Sequence, residues 1–89
     1  MTDYTHLQGS VVLVKWRDIA GHSGWKDQSE VDELKPWEFQ TVSLLVKAEP
    51  YFIVLADTWD DADNDLTYGG VNVIPTGCID SITVVPNVI

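Results

Sequence analysis

The carboxylates of one short stretch are the residues best placed to do chemistry: Asp57-Thr58-Trp59-Asp60-Asp61-Ala62-Asp63-Asn64-Asp65. Asp61, Asp63 and Asp65 stand at alternate positions, the spacing at which a calcium loop supplies its first three oxygen ligands. The pattern then breaks. The sixth position of such a loop turns on glycine and here is Leu66; the twelfth closes with a bidentate glutamate and here is Asn72. The residues read as a solvated acidic loop that attracts cations weakly without building a site, and no cofactor is expected.

Trp59 changes the weight of that loop. A tryptophan among aspartates either folds back onto the domain or stands as an interface anchor, a role in which Trp is enriched. Trp25 and Trp37, in a long polar connection, pose the same choice, whereas Trp16 lies in a β-branched run and reads as core. Trp25, Trp37, Trp59, Asp60, Asp61 and Asp63 are therefore the candidate protein-contact residues. The aromatics would anchor a partner, and the carboxylates would steer a basic one.

Catalytic groups are few. His6 and His22 are the only imidazoles, and one distant cysteine does not complete a zinc set with them. Cys78 has no cation near it in sequence to stabilise a thiolate, so it reads as a small buried hydrophobe. No phosphate-cradling glycine loop, paired-acid motif or dinucleotide fingerprint is present. The expectation is a protein without enzymatic activity.

Charge narrows the partners further. From Ala48 to Ile89 there is no lysine or arginine, and the whole chain carries 14 acidic against 5 basic residues, a formal net charge of -9. Duplex nucleic acid and anionic membranes are repelled by such a surface. The cations Lys15, Arg17, Lys26, Lys35 and Lys47 all fall in the first half. If folding gathers Lys15, Arg17, Lys26 and Lys47 on one face, that face is the candidate site for RNA or a small nucleotide. A lone cysteine excludes an intrachain disulfide, the first residues lack the basic-then-apolar pattern of a signal peptide, and no apolar run is long enough to span a bilayer. These features lead to an expectation of a cytoplasmic protein.

The elements that would position these groups are short strands. Ser10–Arg17, Thr41–Lys47, Tyr51–Ala56, Val71–Ile74 and Ile79–Val85 are β-branched or alternating runs bounded by Gly, Pro and Asp. Between the first two lies the polar connection Asp18–Glu38, where Ser29 followed by Asp32 predicts one capped helical turn through Leu34, ended by Pro36. Asp57–Tyr68 reads as a second polar loop. A chain of 89 residues has room for one domain. Five short strands with no long helix predict an all-β domain, a small five-stranded, strongly bent barrel that closes to remove its edges.

This order resembles the SH3-like barrel, with Gly70-Val71-Asn72-Val73-Ile74-Pro75-Thr76-Gly77-Cys78-Ile79 similar to that fold's Gly…Ile-Pro turn before its final strand. The second half also resembles the Sm-like fold. Val46–Leu55 is similar to its bent strand pair, and Cys78–Pro86 to its closing Ile-x-x-Ile-x-x-Pro strand. That likeness implies an oligomeric ring that binds RNA or sequesters a small signalling nucleotide. Trp16-Arg17-Asp18, Trp25, Leu45-Val46, Tyr51, Val54-Leu55-Ala56 and Ile74-Pro75 with Ile79 and Ile82 resemble small acidic proteins of phage and prophage genomes. The resemblance implies an accessory protein that modulates or inhibits a host protein by contact, in the host cytoplasm.

Overall fold

The structure is a computed structural model that describes residues 3–61 and 65–86. A 3₁₀ turn, Thr5–Leu7, leads into strand β1 (Val11–Asp18). Helix α1 (Gln28–Asp32) interrupts the long connection to β2 (Trp37–Ala48). Strands β3 (Phe52–Asp60) and β4 (Thr67–Pro75) follow, then a second 3₁₀ turn, Thr76–Cys78, and β5 (Ile79–Val84). All five strands form one antiparallel sheet in the order β4-β3-β2-β1-β5.

Alternation decides which side chains point inward. Val12 and Val14 of β1, Ile53 and Leu55 of β3, and Leu45 of β2 are fully buried, and with Ala48 and Ile74 they form the core. Each of the valine, leucine and isoleucine side chains contributes roughly 1.5–3 kcal/mol by leaving water. In β2 the buried pair Leu45 and Ala48 is three residues apart, an odd step that an unbroken strand could not place on one face. A register shift against β3 between Leu45 and Lys47 supplies the extra residue, and the strand bends there. Tyr4 and Leu7 pack against the core from the N-terminal turn, which is tied down by Gly9 N–H donating to the Leu45 carbonyl at 2.8 Å.

The sheet is not closed. β2 pairs with β1 from Trp37 to Leu44 and with β3 from Leu44 to Ala48, so Leu44 is the β2 residue bonded into both ladders. Beyond Leu44 the β1–β2 and β3–β4 hairpins part as two arms, and β4 and β5 remain the two edges. The expected closed barrel is corrected to an open, bent sheet: β4 and β5 do not pair with each other.

Three strands also run further than their composition suggested: β2 begins at Trp37, inside the expected polar connection, because Trp37–Gln40 pair with Asp18–Lys15 of β1. β3 continues through Asp57-Thr58-Trp59-Asp60 and β4 begins at Thr67, so both flanks of the expected Asp57–Tyr68 loop are strand. Cross-strand pairing of Thr58 with Gly69, Trp59 with Tyr68, and Asp60 with Thr67 overrides the low strand propensity of Asp and Gly. Helix α1 likewise starts from a different cap. Asp27, not Ser29, is the N-cap: its Oδ1 accepts from Glu30 N–H at 2.9 Å while Glu30 Oε1 accepts from Asp27 N–H at 3.4 Å. The glutamate three residues after Asp27 makes the reciprocal pair that Ser29 lacks.

Candidate functional site

Strand parity collects the aromatic side chains. In β2, Trp37, Phe39, Thr41, Ser43 and Leu45 share the core-facing side, and their β1 partners are Asp18, Trp16, Val14 and Val12 in register. In β3 the same side carries Ile53, Leu55, Asp57 and Trp59, with Tyr68 opposite Trp59 on β4. The core therefore occupies only the central part of this face. Past it, on each arm, the face continues as aromatic surface.

On the first arm Trp16 and Phe39 stack at 4.9 Å between ring centroids, tilted by 35°. Trp16 Nε1 donates to Thr41 Oγ1 at 3.0 Å, which fixes the indole while leaving its ring against the core. Trp37 lies beyond it, 52% exposed. On the second arm Trp59 is 48% exposed beside its cross-strand partner Tyr68. The arms part at a built junction. Ser43 Oγ donates to Asp57 Oδ1 at 2.6 Å, and Ser43 is the sole buried polar or charged residue among those described. Gly70 has φ +61°, and a Cβ there would stand 2.9 Å from Asp57 Oδ2. The carboxylate is thus held between β2 and a glycine that leaves it room.

The acidic residues border the second arm. Asp60 ends β3, Asp61 follows it, and Asp65 precedes β4, all exposed. Asp63 lies outside the described residues, as does the middle of the alternating aspartate pattern. Among the described residues no three His, Cys, Asp or Glu side chains gather as metal ligands. Trp25 stands apart from both arms, fully exposed in the long connection. The structure accordingly brings Trp37 and Trp59 onto one sheet face and does not place Trp25 with them. Sequence reasoning missed Phe39 and Tyr68; the signal that could have found them is the two-residue spacing from Trp37 and the pairing of β4 with β3.

The cations divide between the sheet and the long connection. Lys15, Arg17 and Lys47 lie on the opposite sheet face and Lys26 in the long connection. Arg17 Nε is paired with Asp80 at 2.9 Å, Lys47 with Glu49 at 3.3 Å, and Lys26 with Glu30 at 4.0 Å. Of the candidate set Lys15, Arg17, Lys26 and Lys47, the three strand residues share a face and Lys26 lies outside the sheet, and Arg17, Lys26 and Lys47 each have a carboxylate partner. A different cavity, of about 410 Å³, opens between the ends of the long connection and the Thr76–Cys78 turn. Arg17, His22, Lys35 and the half-buried Cys78 are on its walls, with Ile19 and Leu34. No helix among the described residues is long and apolar enough to cross a membrane.

The chain matches no protein-family model, no curated protein and no solved structure.

Proposed function

We propose that this chain is a non-enzymatic binding module that acts by protein–protein contact through the aromatic ends of its core-side face. The observation that carries this is the placement of Trp37 and Trp59, each half-exposed on the face where Leu45 and Leu55 are fully buried. Large aromatic rings held by a rigid ladder lose little entropy when a partner covers them, which is why such residues dominate binding energy. Asp60, Asp61 and Asp65 at the tip of the second arm favour a partner of basic surface, chiefly by raising its association rate.

The architectural part of this reading is an SH3-like or Sm-like sheet. Its support is the strand order, a four-strand meander whose fifth strand returns to β1 after the Pro75–Cys78 turn. The setting, a phage or prophage accessory protein directed at a host protein, rests on the sequence resemblance alone. Quantitative affinity capture from host extract, wild type beside Trp37→Ala and Trp59→Ala, tests the reading. A partner retained by wild type and lost from both folded variants supports it; equal capture by all three removes it.

A second reading, sequestration of a small anionic ligand, is favoured by the cavity beside Cys78, where Arg17, Lys35 and His22 outnumber the one carboxylate on its walls, Asp18. Its volume falls within the range of small-molecule sites. Calorimetric titration with a mononucleotide separates this reading from the first, because Arg17→Ala with Lys35→Ala abolishes binding here and leaves protein contact intact.

A further inference from the structure

The sheet has two open edges, and they differ. β5 is short, carries Asp80 paired with Arg17, and meets β1 through a register shift, all of which blunt an edge. β4 has none of these. It runs nine residues, Thr67–Pro75, without a charge and in constant register with β3, and every residue of it except Ile74 is exposed. The ladder fixes which backbone groups face outward. Thr76 N–H donates to the Tyr51 carbonyl at 2.9 Å, so that register pair is a hydrogen-bonded one, and Ile74, Asn72 and Tyr68 continue the bonded set in alternation. The amides and carbonyls of Val73, Val71, Gly69 and Thr67 therefore point away from β3. Among the described residues no partner reaches these backbone groups.

We infer that β4 takes up an extended basic segment of a partner protein as a sixth, antiparallel strand. Alternating donors and acceptors at strand spacing match extended backbone and give such a guest its affinity. Charge selects whose backbone it is. Asp65 precedes β4 and Asp61 follows β3, both exposed, and no lysine or arginine occurs from Ala48 onward. The C-terminal end of an antiparallel guest passes Asp65, so its lysine or arginine belongs there. Further along, the guest residues opposite Val71 and Val73 have their side chains on the same face as these valines. Val71 is 50% exposed and Val73 61%, and apolar guest residues two apart cover them. A second copy of β4 fits less well. It brings no cation, adds a net charge of -9, and its Pro75 has no N–H to give. The guest strand belongs to the basic partner of the protein-contact reading, on which this assignment rests.

Calorimetric titration of the full chain with the peptide acetyl-Val-Thr-Val-Thr-Thr-Ser-Thr-Lys-Lys-amide tests this. In the antiparallel register its valines lie opposite Val73 and Val71 and its lysines beside Asp65. It is expected to bind one to one, and more weakly as salt rises. N-methyl groups on its third and fifth residues, whose amides face β4, are expected to weaken binding at least about tenfold. The same groups on its fourth and sixth residues, whose amides face away, leave binding unchanged. Exchanging both lysines for glutamate is expected to abolish it. Val73→Pro removes one outward N–H and no ladder bond, so it keeps the fold by circular dichroism and weakens binding at least about tenfold. Because the peptide is supplied, its binding is read whether or not host extract yields a partner, and Trp37→Ala, on the other arm, leaves it intact. No binding of the parent peptide, equal loss from both methylated forms, or a wild-type homodimer that Val73→Pro dissolves would each overturn the inference.

Discussion

Ser43 Oγ donates a 2.6 Å hydrogen bond to Asp57 Oδ1 at the point where β2 leaves β3 and the two arms begin. One end of that bond is buried and the other is a carboxylate, so it is stronger than an ordinary surface contact. Ser43→Ala is expected to cost about 1.5–3 kcal/mol, the range for a hydrogen bond to a charged group. Urea unfolding measures it. A cost near zero would show that the junction is set by the ladders alone.

Gly70 is coupled to the same carboxylate. Its positive φ disfavours any side chain by roughly 1–2 kcal/mol, and a Cβ 2.9 Å from Asp57 Oδ2 adds a steric term. Gly70→Ala is expected to destabilise by more than the backbone cost alone, with part of the loss recovered in the double variant with Asp57→Ala. Full additivity in the double-mutant cycle would mean that Gly70 and Asp57 act independently.

Core and aromatic positions should separate cleanly. Leu55→Ala removes a fully buried side chain and is expected to cost about 2–5 kcal/mol. Trp59→Ala removes a half-exposed ring whose cross-strand pair with Tyr68 contributes about 0.2–1 kcal/mol. Thermal melts of the two variants check the contrast. Equal losses would make Trp59 a core residue.

The pH dependence of helix α1 follows from its cap. The Glu30 backbone N–H, with Ser29 Oγ–H as the next donor, holds the Asp27 carboxyl below its ordinary value. A lowered folded-state pKa means that the stabilisation is present above the unfolded value, about 3.9. It is lost as pH falls through the folded one. Carbon-detected titration of Asp27 together with the Glu30 amide shift should show both moving in one step below about pH 4. An Asp27 midpoint at or above the unfolded value would contradict the cap.

The strands of this sheet were legible because their centres are β-branched. Val11–Val14, Val42–Val46 and Ile53–Leu55 sit inside the predicted runs. The arms were not legible, since Asp57, Asp60, Thr67, Gly69 and Gly70 look like loop until their cross-strand partners are known. Closure was not legible for a related reason. Whether the edge strands β4 and β5 meet depends on pairing and bend, and neither is visible in one strand. The same holds for the site. Trp37 and Trp59 were named as contact residues, but their common face depends on the pairing of Leu45 with Leu55 between β2 and β3, which neither strand announces by itself.

The salt dependence of partner binding checks the acidic border. Asp61→Asn and Asp65→Asn are expected to slow association several-fold at low ionic strength and to leave dissociation nearly unchanged, as exposed steering charges do. Stopped-flow association at two salt concentrations reads this. A change confined to the dissociation rate would place these carboxylates inside the interface instead.

The most direct test of the central claim is the affinity of the captured partner for wild type against Trp59→Ala, measured by calorimetry on protein shown to be folded. An anchoring tryptophan contributes about 2 kcal/mol or more, so the account expects the dissociation constant to rise at least about thirtyfold at that cost. An unchanged constant in a folded variant would contradict it and move the contact surface away from the aromatic arms.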